Sequence, residues 1–153
     1  MNNLIKIAVD AMGGDNSPNK IIDGIELHNK NSKNIYYRIF GNAEIIEPLI
    51  SNKNIKKENY ELIHTENKVE GEDSPLVGAK RGKNTSMWLS IESVKNKTSD
   101  IIISAGNTGA LFVISKLNLK MIENIDKPAL SGLWPNKIGM NIVLDLGANI
   151  ECS

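Results

Sequence analysis

The sequence of 153 residues holds one cysteine, Cys152, and two arginines, Arg38 and Arg81. A lone thiol closes no internal disulfide, so the fold rests on its core, as expected in a reducing compartment. Scarce arginine and a formal net charge of +0 leave no broad basic surface, which argues against a nucleic-acid partner. No run of about 18 apolar residues occurs, so no membrane-spanning helix is expected. A basic segment followed by a long apolar stretch is also lacking at the amino terminus, and we expect no secretory signal. What remains is a cytoplasmic globular protein with 41% apolar and 24% charged residues.

The apolar pattern switches between short β-rich runs and longer helical ones. Residues 5–9 read as a strand, after which Ser17 reads as a helix N-cap and Pro18 as the first helical residue. Ile21, Ile22 and Ile25 mark the buried face of a helix to about Lys30. Residues 35–40 form a second strand, 43–50 a short helix and 60–64 a third strand. The polar segment 65–73 reads as a loop, 74–83 as weakly helical, and Met87, Ile91 and Val94 as a helical stripe. Three consecutive isoleucines, Ile101 to Ile103, predict a strand buried on both faces. A helix from Gly109 to about Met121 is apolar nearly all round and is expected to be central. Residues 128–134 and 141–146 read as two more strands. The alternation predicts one α/β domain, 1–153, with a Rossmann-like, mostly parallel open sheet and flanking helices. A strand so close to residue 153 lacks the covering helix of such a sheet, so the sequence reads as truncated.

Ligands of open α/β sheets bind beyond the carboxyl ends of the strands. Three such ends carry unusual residues: Asp10 to Asp15 with Gly13 and Gly14, Ser104 to Gly109 with Gly106, Asn107 and Thr108, and Asp145 to Asn149. Glycines bring the main chain close to a ligand, and helix N-termini favour anions. The three ends are expected to converge on a phosphate-sized crevice. The G-x-G-x-x-G spacing of dinucleotide folds and the Walker lysine are absent. Backbone amides at Gly13, Gly14, Asn107 and Thr108, with the Ser104 and Thr108 hydroxyls and the Asn107 and Asn149 amides, suit the binding of an anion. Asp10, Asp15 and Asp145 repel a dianion, and we read them as ties for the glycine loops rather than as proton carriers. Lys80, Arg81 and Lys83 are the cations nearest a motif in sequence. His28 and His64 have no partner at metal or triad spacing, and we expect no metal or other cofactor.

The segments AVDAMGGDNSP, SAGNTGAL and LDLGANIEC, together with Thr85-Ser86-Met87 and Lys127-Pro128-Ala129-Leu130, resemble the PlsX family of phosphate acyltransferases. That resemblance implies a fold related to isocitrate dehydrogenase and phosphotransacetylase, and an amino-terminal half, since the family is about twice as long. It implies transfer of a long-chain acyl group from acyl carrier protein to inorganic phosphate, yielding acyl phosphate for phospholipid synthesis. It also implies a homodimer, with peripheral membrane association only through the other half. The family has an arginine where Lys80 stands, and lysine does not reproduce a bidentate guanidinium grip. On this reading Asn107, Thr108, Asp10 and Ser104 are the catalytic candidates. Gly13, Gly14, Asp15, Gly106, Gly109, Asp145, Asn149, Lys80 and Lys83 are the binding candidates. Two other readings stand beside it: a non-catalytic or complementing fragment that needs a second chain, and an NAD-dependent dehydrogenase-like fold.

Overall fold

The computed structural model describes residues 4–32, 34–144 and 146. They fall into two compact units that divide between Leu119 and Lys120.

The first unit begins with strand β1 (Ile5–Asp10), helix α1 (Asn19–Asn31), strand β2 (Ile35–Gly41), helix α2 (Ala43–Ser51) and strand β3 (Tyr60–His64). Helices α3 (Pro75–Lys80) and α4 (Ser86–Lys95), strand β4 (Ile101–Ser104) and helix α5 (Thr108–Asn118) follow. The strands form one parallel sheet in the order β3-β2-β1-β4. Side chains alternate across it. Ile7, Val9, Tyr37 and Ile39 are buried with Ile22 and Ile25 of α1 and Ile46 and Ile50 of α2. Each such isoleucine contributes about 1.5–3 kcal/mol through burial. A second core joins Met87 and Ile91 of α4 to Ala110 and Ile114 of α5 and to Val69.

Register then places the functional end. Asp10 pairs with Ser104 across the β1–β4 ladder, at the carboxyl ends of both strands. Alternation turns Asp10 away from the Ile7 and Val9 face and toward α4.

Several expectations are corrected. Ser17 does not cap α1; its hydroxyl donates to the Gly13 carbonyl, and the helix starts at Asn19 with no side-chain cap. Ile101 and Ile103 are 51% and 52% exposed, because α1 and α2 cover β1 and β2 and no described helix of this unit lies over β4 on that side. Helix α5 is a flanking element, burying Ala110, Ile114 and Asn118 at a four-residue spacing while Leu117 stays exposed.

The second unit contains β5 (Ser131–Asn136) and β6 (Gly139–Leu144), paired antiparallel in a two-stranded sheet of their own. They were expected to extend a parallel sheet. A two-residue connection makes a hairpin, whereas a parallel crossover needs a dozen residues or more.

Candidate functional site

Two loops meet at the carboxyl end of β1 and β4, and their glycines touch. A Cβ on Gly13 would lie 3.0 Å from Gly106 Cα and 2.5 Å from Asp10 Oδ2. A Cβ on Gly14 would lie 2.5 Å from the Ala105 carbonyl oxygen, and Gly14 has φ +90°. The residues at 13, 14 and 106 are therefore glycine because backbone crosses backbone there. Gly109 is glycine because Pro75 of α3 packs on it, a Cβ falling 2.5 Å from Pro75 Cγ.

Asp10 lies beneath the crossing and is 1% exposed. Ser86 Oγ donates to Asp10 Oδ1 at 2.6 Å and Ser104 Oγ to Oδ2 at 2.7 Å. The amides of Met12 and Gly13 donate to the same carboxylate. Ser104 Oγ in turn accepts from the Gly106 amide at 3.1 Å. Burial pushes the Asp10 carboxyl above its usual range, and the four hydrogen bonds pull it back down. With four donors converging on it, Asp10 acts as an acceptor and ties both loops together.

Asn107 is the N-cap of α5, its Oδ1 accepting from the Ala110 amide at 2.9 Å. Its Nδ2 donates to the carbonyls of Gly71 and Asp73 at 2.9 and 2.7 Å. One side chain thus opens the helix and clamps the segment 68–73 against it. Arg81 tightens the clamp with two hydrogen bonds to the Asp73 carboxylate, one from Nη2 at 2.8 Å and one from Nε. The Arg81 guanidinium holds the Asp73 carboxyl below its ordinary value.

Between the two loops and this strap lies a cleft of about 720 Å³. Gly14, Asp15, Gly106, Asn107, Thr108 and Gly109 line it, with Met12 and Ser17 from the first loop and Lys68, Glu70 and Gly71 from the strap. Among the described residues, the amides of Thr108 and Gly109 have no hydrogen-bond acceptor, and the α5 dipole adds partial positive charge at that end. Among the described residues Lys68 is the one lysine of the lining, and its Nζ lies 3.1 Å from Glu70 Oε2. Gly13 is buried behind the wall, with Asp10 and Ser104 beneath it. Lys80 and Lys83 are exposed and do not line the cleft. Asp145 and Asn149 lie outside the described residues.

Lys68, Glu70 and Gly71 were not legible as site residues, since a loop without periodicity carries no sign of where it lands. His28 and His64 have structural partners: His28 lies between Tyr37 Oη and Ser32 Oγ, and His64 Nδ1 accepts from the Ala43 amide. Among the described residues, no group of three or more histidine, cysteine, aspartate or glutamate side chains is placed to hold a metal. None of the described helices is long and apolar enough to cross a membrane.

A family model described as fatty acid synthesis protein matches residues 5–153. The chain is 69% identical over 153 residues to the phosphate acyltransferase of Pelagibacter ubique, covering all of this chain and 45% of that protein. It is 39% identical over 153 residues to the phosphate acyltransferase of Rhodospirillum rubrum, covering all of this chain and 44% of that protein. With the phosphate acyltransferase of Neorickettsia sennetsu it shares 41% identity over 152 residues, covering 97% of this chain and 44% of that protein. The chain thus spans less than half the length of these relatives.

Proposed function

The chain belongs to the fatty acid synthesis protein family, and from that premise we propose that its cleft holds inorganic phosphate for attack on an acyl thioester. The acyl group comes from acyl carrier protein and leaves as acyl phosphate. The observation that carries this reading is the pair of open amides, Thr108 and Gly109, where the α5 N-terminus faces a cleft walled by two glycine loops.

A phosphate oxygen forms a bond to the thioester carbonyl carbon, the carbonyl oxygen becomes a tetrahedral oxyanion, and the C–S bond then breaks. The proton of hydrogen phosphate leaves with the thiol. Dibasic phosphate is already nucleophilic at neutral pH, so the chain's task is to hold the anion near the carbonyl and to donate to developing charge. The open amides serve the second task. Asn107 and Asp10 act behind them as positioning residues, since the side-chain donors of the first and the oxygens of the second are already engaged. A 720 Å³ cleft exceeds what a phosphate ion fills and leaves room for the thioester end of a second substrate.

The chain's 45% share of its Pelagibacter relative favours a second reading, in which the site works only with further sequence. Acyl phosphate formation from acyl carrier protein thioester and phosphate tests both. Turnover by this chain supports the first reading. Turnover only after adding the remainder of the Pelagibacter relative as a separate polypeptide supports the second. No turnover in either mixture, with both polypeptides folded, removes the proposal.

A further inference from the structure

Ser86 stands in none of the three glycine-bearing segments, yet its side chain reaches the floor of the site. It is 1% exposed, the first residue of α4, and its hydroxyl donates to Asp10 at 2.6 Å. Ser104 holds the other oxygen of the same carboxylate and, through its lone pair, the Gly106 amide. A path of three hydrogen bonds therefore runs from α4 through β1 and β4 into the loop that opens α5. Among the described residues no cation neutralises Asp10 along this path; hydroxyls and amides hold the carboxylate. A buried charge held in that way orients its donors strongly, because losing one donor leaves the charge under-solvated.

Resting on the reading of the cleft as a phosphate site, we infer that Ser86 is a positioning residue for the anion. It fixes the Asp10 carboxylate, Asp10 fixes the Ser104 hydroxyl, and Ser104 fixes the Gly106 amide and with it the α5 amides that face the cleft. Helix α4 thus belongs to the site although none of its residues lines it.

Ser90 supplies the control. It is fully buried on the same helix, and its hydroxyl donates to the Ser86 carbonyl at 2.8 Å, within α4. A merely structural role for Ser86 makes Ser86→Ala and Ser90→Ala behave alike. A positioning role separates them. Without any ligand, amide hydrogen exchange at Gly106 should quicken about tenfold or more in Ser86→Ala and stay near the wild-type rate in Ser90→Ala. In calorimetric titration with inorganic phosphate, Ser86→Ala should weaken binding about tenfold and Ser90→Ala should leave it within about twofold. Ser86→Cys, nearly isosteric with a weaker donor, should fall between the two and takes the place of Ser86→Ala if that variant does not fold.

Equal Gly106 exchange in the two alanine variants overturns the inference whatever phosphate does. Unequal exchange with equal phosphate affinity overturns it as well, because the path then exists without serving the anion. Failure of the wild-type chain to bind phosphate is a different result: it removes the reading of the cleft, and the role of Ser86 with it.

Discussion

Gly13 and Gly106 lie back to back, so close that a Cβ on Gly106 would sit 3.2 Å from Gly13 Cα and one on Gly13 would sit 3.0 Å from Gly106 N. The crossing of two main chains builds the wall of the cleft, and side chains at these positions would push the loops apart.

Glycine substitutions should therefore divide by place. Gly14→Ala meets the Ala105 carbonyl and a left-handed φ, and should lower stability by about 1–3 kcal/mol. Gly24→Ala, in the middle of α1 with nothing within 4 Å of its Cβ, should raise stability by about 0.5–1 kcal/mol. Urea unfolding of the two variants checks the sign of each; a stabilising Gly14→Ala would show that the loops do not meet as described.

Asp10 should give an unusual pH signature. Its carboxyl is raised by burial, so the stability tied to it is full below the ordinary carboxylate range and is lost as pH rises through the raised value. Asp10→Asn lacks that component but turns an amide donor toward a set of donors, costing about 1–3 kcal/mol. The stability of wild type relative to the variant should be greatest below the ordinary carboxylate range and should fall as pH rises through the raised value. A relative stability that grows as pH rises, followed by urea unfolding, would contradict the assignment.

The strap should loosen with acid or with loss of Arg81. Asp73 is held low by Arg81, so its contribution is present above the ordinary carboxylate range and disappears as pH falls through its depressed value. Arg81→Ala should speed amide exchange in residues 69–73 at neutral pH. Arg81→Lys, which keeps charge but not the two-point grip, should do so less. Unchanged exchange in both variants would mean that Asn107 holds the strap alone.

Asn107 can be dissected by two substitutions. Asn107→Ala loses the cap and should cost about 1 kcal/mol of stability. Asn107→Asp keeps the capping acceptor but sets a carboxylate against the carbonyls of Gly71 and Asp73 and adds negative charge at the cleft. In an acyl phosphate assay the Asp variant should be the weaker enzyme while remaining the better capped protein. The reverse ranking would place the role of Asn107 in helix capping alone.

Much of this was legible in the sequence. The strand at 60–64 and the helices near 19–31 and 43–51 follow from periodicity, because each sits on a core that its own pattern dictates. Asp10 as a tie for the glycine loops was also legible, since a carboxylate at a strand end followed by two glycines has backbone amides to accept. The cleft's third wall was not. Lys68, Glu70 and Gly71 arrive there because Asn107 and Arg81 hold the strap, and because Asn67 bridges to Thr85, contacts between residues eight or more positions apart that no local periodicity encodes. Exposure of Ile101 and Ile103 escaped for a similar reason: a run of isoleucines records strand propensity, but not which helices cover it.

The central claim is that the two loops and the α5 N-terminus hold phosphate, and amide resonances followed through a titration with inorganic phosphate test it most directly. The account predicts saturable shifts confined to Gly14 to Asn16 and Gly106 to Gly109, largest at Thr108 and Gly109. Shifts centred elsewhere, or none at these amides in the folded chain, would contradict it.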